Sequence, residues 1–321
     1  MNIPTVSIVM ITYGHEKYIK QAIEGVFMQV CNFEIELIIA NDGSPDDTDK
    51  VILDLLSQHP KSFSVNYIKR EKNWGMMPNF VDALRKAKGK YIALCEGDDF
   101  WTDSAKLQRQ VDFLDVNPSF AICFHRVDVL YEKGIDPFLP DININTPEVT
   151  TIFDLLRGNY LHTASVMFRN NNDYPSWLNN SYPGDWPLHV INSTYGKIKF
   201  MDQCMASYRV HYGGVHSTTG GFVEKSLGTF HQICEELAKR NLKLEAKNAR
   251  KHYRNAYAVF YALHNESTIK LNRVKKSLLL LKMGEPKHKL LSWLPLIFGN
   301  SALSVYNSLM KLNKKYIHGI Q

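Results

Sequence analysis

The strongest chemical signal in the chain is the acidic tetrad Glu96-Gly97-Asp98-Asp99. It follows an apolar run, residues 91–95, of the kind that a buried parallel strand needs. Three carboxylates around one glycine repel each other, so a divalent cation is the usual reason for such a cluster to persist. Ligands of open α/β sheets also bind at the carboxyl ends of strands. The tetrad therefore predicts a metal site that carries a phosphorylated substrate, with a solvated acidic turn as the alternative.

Three more apolar runs precede the tetrad, and helical patterns separate them: residues 6–11, 36–40 and 65–69. Strands that alternate with helices indicate an α/β fold with a parallel sheet and right-handed crossovers. The sequence contains neither a GxGxxG dinucleotide fingerprint nor a GxxxxGK phosphate loop. Phosphate binding must therefore depend on a metal ion and on side chains.

The turns of this first part predict where helices begin. Ser44 is expected to cap the second helix with Pro45 in its first turn, Pro78 to open the third, and Asp103 to cap the next. Residues 131–150 read as a long loop, which in compact domains is usually functional or mobile. The remaining predicted elements are strands at residues 120–124, 162–168, 198–201 and 205–210 and a helix from residues 183–187 to about 195.

Composition is typical of a soluble globular protein. The 321 residues are 45% hydrophobic and 22% charged, which suits one large domain and an appendage. The five cysteines include no CxxC pair, so we predict neither a disulfide framework nor a zinc site, and a reducing, cytoplasmic location. The N-terminus lacks the basic segment of a signal peptide. No nucleic-acid partner is predicted.

The basic residues are concentrated at the C-terminus. From residue 239 onward there are 17 Lys/Arg and 3 Asp/Glu, against 21 and 29 in the rest of the chain. A basic tail on an acidic body predicts contact with an anionic surface, such as the inner face of the cell membrane or a phosphate-bearing partner. Residues 290–310 carry no formal charge, but Pro295, Gly299 and Asn300 favour helices on a membrane or on the domain over a spanning helix.

Six motifs in order connect this sequence to a known family: TYGHE, ELIIANDGSPDDT, NWGMMPNF, GKYIALCEGDD, GDW and YRVH. Over about the first 215 residues the chain resembles the family 2 glycosyltransferases with the GT-A fold. EGDDFW and DWPLH resemble the branch that builds bacterial surface polysaccharides. The resemblance implies an α/β, Rossmann-like nucleotide-sugar-binding domain at residues 1–220, followed by a basic, helical region at residues 221–321.

The same resemblance assigns the donor site. Glu96-Gly97-Asp98 stands where the family has its DxD motif, whose carboxylates hold Mg²⁺ or Mn²⁺ against the donor diphosphate. Asp98 is the expected direct ligand and Asp99 the second, while Glu96, longer than the usual aspartate, faces the ribose or the metal. The other implied contacts are Thr12, Glu16 and Asp42 to the nucleoside, Asn73 and Asn79 in the donor pocket, Arg209 on the diphosphate, and His211 on the metal. Asp42 has the alternative of an ordinary turn residue, and Asn73 and Asn79 each have the alternative of a structural cap.

The resemblance also proposes Asp185 as the catalytic base. Family members often carry an acidic pair here, but Gly184 leaves this chain a single carboxylate. An aspartate at a helix start is by default a structural cap, so that alternative stays open. The residues expected to contact the acceptor are Trp101, His162 and Trp186, and for both tryptophans the core is the alternative.

The implied function is an inverting, metal-dependent transfer of a hexosyl or N-acetylhexosaminyl group. The donor would be a nucleotide-diphosphate sugar, a UDP-sugar first among them, and the acceptor a hydroxyl of a glycan or a lipid-linked molecule. One alternative is a sugar nucleotidyltransferase, although TYGHEKYI is not the Gly-rich, Arg-bearing loop that such enzymes need. The other is a non-catalytic nucleotide-sugar-binding homologue, which the departures at Glu96 and Gly184 leave open.

Overall fold

The computed structural model describes residues 3–58, 63–137, 146–182, 184–214, 222–251 and 253. The chain divides into two compact units, Met1–Ile233 and Cys234–Gln321. Within the described part of the chain, every helix is too short or too polar to cross a lipid bilayer. The uncharged stretch at residues 290–310 lies outside the described residues, as do residues 138–145 of the expected long loop.

The described strands of the first unit form one mixed sheet. They are β1 (Val6–Thr12), β2 (Ile35–Asn41), β3 (Phe63–Lys69), β4 (Tyr91–Leu94), β5 (Phe100–Trp101), β6 (Phe120–Tyr131), β7 (Val149–Thr150), β8 (Met167–Arg169) and β9 (Lys197–Val210). Their spatial order is β3-β2-β1-β4-β8-β6-β9-β5, with β7 paired to β9. The half from β3 to β4 is parallel, and β8 joins it to β6 through antiparallel pairs. The predicted α/β class is confirmed.

The helices that precede residue 194 pack against the sheet or against one another. The described helices are α1 (Ile19–Phe27), α2 (Thr48–Leu56), α3 (Met76–Lys86), α4 (Lys106–Val116), α5 (Ile152–Leu155), α6 (Asp185–Ser193) and α7 (Phe222–Lys239). Every residue of β1, β2 and β4 is buried, because a parallel sheet carries helices on both faces. Short 3₁₀ turns lie at Thr163–Ser165 and Ser176–Asn180.

The strand register brings the polar strand ends together. Thr12 pairs with Asn41 at the ends of β1 and β2, and Val9 of β1 pairs with Leu94 at the end of β4. Because parallel strands all end at the same edge, the loops that follow β1, β2 and β4 meet there. This edge is where the sequence places its candidate site residues.

Helix α2 begins later than its sequence indicates. Its first residue is Thr48, and Asp47 occupies the cap position. Ser44, the predicted cap, instead donates its hydroxyl to Asn41 Oδ1 at 2.7 Å and accepts the Gly14 amide at 3.0 Å. The serine is therefore used to join the loops after β1 and β2, and the capping prediction is wrong.

Two other helix starts shift by a few residues. Helix α3 begins at Met76, so Pro78 lies inside its first turn, where a missing N–H costs nothing. Helix α4 begins at Lys106, and Asp103 precedes it, accepting the Ala105 amide at 2.8 Å. Proline and aspartate mark these starts correctly but do not fix the first helical residue.

Strand boundaries differ where pairing overrides the local pattern. The two strands expected at 198–201 and 205–210 form the single strand β9, whose exposed residues 202–204 lie where its pairing with β6 changes register. A bulge tolerates exposed residues within one strand, so the sequence pattern predicts a break where the strand continues. Residues 162–168 split into a 3₁₀ turn and β8, because the Ser165 amide and hydroxyl both donate to the His162 carbonyl.

The second unit is helical where it is described. It contains the end of α7 and helical residues 243–251 and 253. Its buried residues are Cys234, Leu237, Ala246, Ala249 and Tyr253. Arg250 pairs with Glu235 at 3.0 Å across this unit. A helical C-terminal region is therefore present, as predicted.

A lysine lies completely buried in the core of the first unit. Lys106 donates to Gln110 Oε1 at 2.7 Å, and its ammonium lies 4.1 Å from the centre of the Trp101 ring. Burial lowers the pKa of Lys106 to about 7. The folded protein is thus destabilised near pH 7, because it buries an amine that water would keep protonated.

This cost predicts a pH-dependent stability effect. Between about pH 7 and pH 10.5 the unfolded chain holds the Lys106 proton and the folded chain does not, so stability rises with pH in that window. We expect Lys106→Met to stabilise the fold near pH 7 by an amount on the order of a few kcal/mol and to lose this gain toward pH 10.5. Urea unfolding at both pH values measures the difference.

The matched control is Lys50→Met, because Lys50 lies exposed on α2. The control should change stability little and equally at both pH values. A Lys106→Met gain that does not depend on pH, or a loss at both values, would contradict the assignment of a desolvated amine.

Candidate active site

The acidic tetrad forms a tight turn at the end of β4. The Gly97 amide donates to the Ile11 carbonyl at 2.9 Å, and the Asp99 amide donates to the Glu96 carbonyl at 3.1 Å. A Cβ on Gly97 would lie 2.7 Å from the Thr12 hydroxyl oxygen, so only glycine fits against β1. This contact fixes the three carboxylates at the edge of the sheet.

The carboxylates of the turn do not ionise alike. Burial raises the pKa of Glu96 and of Asp99 well above the usual range, and the charge of Asp98 raises both further. Burial also raises the pKa of Asp98, but the hydrogen bond from His211 and the charge of His15 lower it by more. The net result is a lowered pKa for Asp98. Asp98 is therefore the carboxylate that this site keeps charged.

Two histidines converge on Asp98. His211 Nε2 lies 3.1 Å from Asp98 Oδ2, and His15 Nε2 lies 3.7 Å from the same oxygen. One ligand atom from each of the three residues lies within 4.8 Å of the other two. Imidazole nitrogens and a carboxylate oxygen are all metal donors, so the donor set fits a divalent cation.

His15 was not among the sequence candidates, and the fold explains its position. It lies in the loop after β1, where its amide donates to Thr48 Oγ1 at 2.9 Å. Since β1 and β4 are parallel neighbours, that loop overhangs the acidic turn. A histidine just after a strand that ends beside the tetrad was the available signal. Burial lowers the pKa of His15, which favours the neutral, metal-binding form.

Arg209 braces the acidic turn from the end of β9. Its amide donates to Asp99 Oδ1 at 2.8 Å, and its guanidinium donates to the Asp98 carbonyl at 2.6 Å and to Gln21. The guanidinium also lies 4.5 Å from the centre of the Phe100 ring. The predicted alternation of Arg209 and His211 therefore places both beside the tetrad. Asp99 Oδ2 is buried without a hydrogen-bond partner among the described residues.

The side chains expected to contact the nucleoside accept hydrogen bonds from backbone amides of nearby loops. Asp42 is buried and accepts the amides of Trp74 at 2.8 Å and Gly75 at 3.0 Å. Glu16 accepts the Asp47 amide at 3.0 Å, and Asn73 accepts the Gly75 amide at 2.7 Å. Asp42 thus ties the loop after β2 to the start of α3, a contact that neither sequence interpretation included.

Asn79 is buried, and protein groups bond to both ends of its side chain. It is 1% exposed, its amide donates to the Ala40 carbonyl at 2.9 Å, and it accepts Arg70 Nε at 2.9 Å. Both ends of its side chain are engaged by protein, so the expectation that it lines the donor pocket is corrected to a core position. Thr12 lies at the site edge, and its hydroxyl is buried without a partner in the described residues.

Asp185 lies at the first residue of α6 and faces the acidic turn. Its Oδ2 accepts Asn159 Nδ2 at 2.8 Å and Thr163 Oγ1 at 3.3 Å. Burial raises the pKa of Glu96, the charges of Asp98 and Asp185 raise it further, and the nearby Thr163 hydroxyl opposes these effects. The Thr163 side chain therefore lies between Asp185 and the tetrad, a placement that the sequence did not reveal.

The aromatic residues expected at the acceptor lie mainly in the core. Trp101 is 1% exposed and donates its indole N–H to the Ala164 carbonyl at 2.9 Å. Trp186 is 5% exposed and donates to the Leu155 carbonyl at 2.9 Å. Neither ring presents a face on which a sugar can stack, so both expectations are corrected to packing roles. The His162 ring is half-buried and packs 5.0 Å from that of Tyr208.

Comparison with known proteins places these features in a family. The family pattern described as Glycosyl transferase family 2 matches residues 7–211. An uncharacterized protein of Mycobacterium bovis is 40% identical over 210 residues, which are 65% of this chain and 60% of that protein. The matched part thus spans less than two thirds of that relative. TuaG of Bacillus subtilis, provisionally named a teichuronic acid biosynthesis glycosyltransferase, is 26% identical over 72% of this chain and 88% of its own.

Solved structures share the fold at low identity. Staphylococcus aureus TarS 1–349, solved with UDP-GlcNAc, superposes with a TM-score of 0.60 at 17% identity over 87% of this chain and 80% of its own. The mannosyltransferase PcManGT of Pyrobaculum calidifontis, solved with GDP-Man and Mn²⁺, has a TM-score of 0.50 at 13% identity over 96% and 88%. The sheet is thus a GT-A-like sheet, and the family match covers the acidic turn, Asp185 and Arg209. This chain belongs to glycosyl transferase family 2.

Proposed function

We propose that this protein is an inverting, metal-dependent glycosyltransferase of surface polysaccharide synthesis. It would transfer a hexosyl or N-acetylhexosaminyl group from a nucleotide-diphosphate sugar to a hydroxyl of a glycan or a lipid-linked acceptor. The observation that carries the proposal is the convergence of Asp98 and His211, with the Thr163 side chain between Asp185 and the same turn. The titles of two solved neighbours, which name UDP-GlcNAc and GDP-Man with Mn²⁺, support such a donor, a UDP-sugar first among them. The name of TuaG supports the polysaccharide branch.

The donor half of the site is built to receive a diphosphate. Asp98 and His211 would hold Mn²⁺ or Mg²⁺, which when bound supplies positive charge to the departing diphosphate. Arg209 fixes the turn through Asp99 and the Asp98 carbonyl and adds its own charge beside it. Charge placed in advance where negative charge develops lowers the barrier without reorganisation.

The acceptor half depends on Asp185. Its carboxylate is held by Asn159 and Thr163 and would take the proton of the acceptor hydroxyl as that oxygen attacks the anomeric carbon. Attack from the face opposite the diphosphate inverts the anomeric configuration. The Thr163 side chain lies between Asp185 and Glu96, which supports a position of the Asp185 carboxylate beside the transferred sugar. His162 would lie near the acceptor.

The base role predicts a separation of binding from chemistry. Asp185→Asn keeps an oxygen to accept from Thr163 but cannot take a proton, so we expect transfer to fall about 10²- to 10⁴-fold. Donor affinity, measured by titration calorimetry, should stay near the wild-type value. Asp112→Asn is the matched control, since Asp112 lies exposed on α4. Unchanged turnover in Asp185→Asn would remove Asp185 from the role.

The metal role predicts a loss of binding. Asp98→Ala removes the carboxylate that both histidines approach, so metal-dependent donor binding should disappear. Calorimetry with and without Mn²⁺ measures it, and Asp112→Ala should behave as wild type. Equal donor affinity in Asp98→Ala and wild type, each with Mn²⁺ present, would contradict the assignment.

Two simple assays separate the alternative functions. A sugar nucleotidyltransferase would release pyrophosphate from a sugar phosphate and a nucleoside triphosphate, whereas a glycosyltransferase would not. A non-catalytic homologue would bind nucleotide-sugar with metal and neither transfer nor hydrolyse it. The ordered contacts around Asp185 favour the enzyme over the binding protein.

We also propose that the catalytic domain ends near residue 220 and that the basic C-terminal region binds the cytoplasmic face of the membrane. The excess of Lys and Arg beyond residue 239 supports the membrane contact. The full chain should sediment with anionic phosphatidylserine vesicles at low salt and be released at high salt, because salt screens surface charge. Neutral phosphatidylcholine vesicles are the control. Equal recovery on both vesicles, or on neither, would contradict the membrane proposal.

A further inference from the structure

His15 belongs to the same cluster as Asp98 and His211, although it lies far from both in sequence. Its Nε2 approaches Asp98 Oδ2 at 3.7 Å, which is too long for a hydrogen bond. The rings of His15 and His211 stand edge to face with their centres 5.9 Å apart. Two imidazoles thus direct lone-pair or N–H positions at one carboxylate oxygen, and only one of them bonds to it.

In the described part of the chain, the polar side chain that the His15 imidazole approaches is Asp98. Its Nδ1 is buried and has no hydrogen-bond partner among the described residues. The nearby guanidinium of Arg209 is directed to the Asp98 carbonyl and to Gln21. The nitrogen that faces Asp98 is Nε2 and not the unpartnered Nδ1, so a metal ion would be bound through Nε2.

The backbone around His15 is fixed before any ligand arrives. Its amide donates to Thr48 Oγ1 at 2.9 Å, and its carbonyl accepts the amides of Tyr18 and Ile19, each at 2.9 Å. On the other side, the Tyr18 ring packs 4.6 Å from that of His211. Both imidazoles are therefore held by rigid elements, as a preorganised metal site requires.

The spacing of the three donors suits one ion. In octahedral coordination at about 2.1 Å, neighbouring ligand atoms lie about 3 Å apart and opposite ones about 4 Å apart. The separations in this cluster, all within 4.8 Å, need only small movements to reach that geometry.

We propose that His15 is a third protein ligand of this site and that the two-histidine, one-carboxylate donor set selects a divalent first-row transition ion over Mg²⁺. Imidazole suits transition ions, whereas Mg²⁺ takes oxygen ligands and retains water. The inference rests on the proposed function for the role of the metal, but its evidence is the geometry of His15. It narrows the expected cofactor from Mn²⁺ or Mg²⁺ to the transition-metal class.

The test uses Mn²⁺ as a paramagnetic probe of the full chain. Wild-type protein should bind Mn²⁺ in solution, and electron spin echo modulation should show nitrogen coupling from two imidazoles. His15→Ala and His15→Gln should each lose one coupling and bind Mn²⁺ at least about tenfold more weakly. Mg²⁺ at about a hundredfold excess should fail to displace Mn²⁺ from wild type but should displace it from both variants.

The control variant is His231→Ala, which removes an exposed histidine of α7 and should keep both couplings. Thermal melting checks that each variant is folded, and the two different replacements of His15 guard against a local collapse. Two retained couplings in folded His15 variants, or displacement of Mn²⁺ from wild type by about a hundredfold excess of Mg²⁺, would overturn the proposal.

The outcomes also separate this inference from the function on which it rests. If wild type shows one imidazole coupling and still transfers sugar, His15 is not a ligand and the glycosyltransferase proposal stands. If both couplings are present but no nucleotide-sugar is bound or consumed with any divalent ion, the metal site stands and the proposed function fails.

Discussion

The mutual repulsion of three carboxylates at the end of β4 is the constraint on which the rest of the site depends. Each is offset by a different element: Glu96 by Thr163, Asp98 by the histidines and Asp99 by the Arg209 amide. These partners come from the loop after β1, the 3₁₀ turn before β8 and the end of β9. The sheet must therefore be complete before the acidic turn is stable, because its partners come from distant parts of the chain.

The core below the site holds one of these partners in place. The Trp101 indole donates to the Ala164 carbonyl, and Gln110, itself bonded to Lys106, donates to the Ser165 carbonyl at 3.0 Å. These bonds fix the 3₁₀ turn whose first residue, Thr163, lies between Glu96 and Asp185. Trp101 thus serves the site by positioning its backbone. Gly25 permits this, since a Cβ there would lie 2.9 Å from the Trp101 backbone.

The site also contains groups that a purely structural core would avoid. Asp99 Oδ2, the Thr12 hydroxyl and His15 Nδ1 are buried without partners in the described residues. Unsatisfied buried groups of this kind each cost on the order of 1–3 kcal/mol. These three atoms lie at one sheet edge, beside carboxylates of raised pKa, which is typical of a functional site that gains its missing contacts from a ligand.

The sequence by itself determined the α/β class and the parallel direction of the early strands, and it predicted the acidic turn as the chemical centre. These follow from short-range patterns: apolar runs bury themselves, and adjacent carboxylates repel wherever the chain places them. Family motifs added Asp185, Arg209 and His211. The tertiary structure alone decided which polar residues face that centre. His15 lies at that centre because β1 and β4 are neighbours. Asn79 and Trp101 lie in the core instead, where their side-chain N–H groups donate to backbone carbonyls. Side-chain direction depends on contacts between distant segments, which a local pattern does not encode.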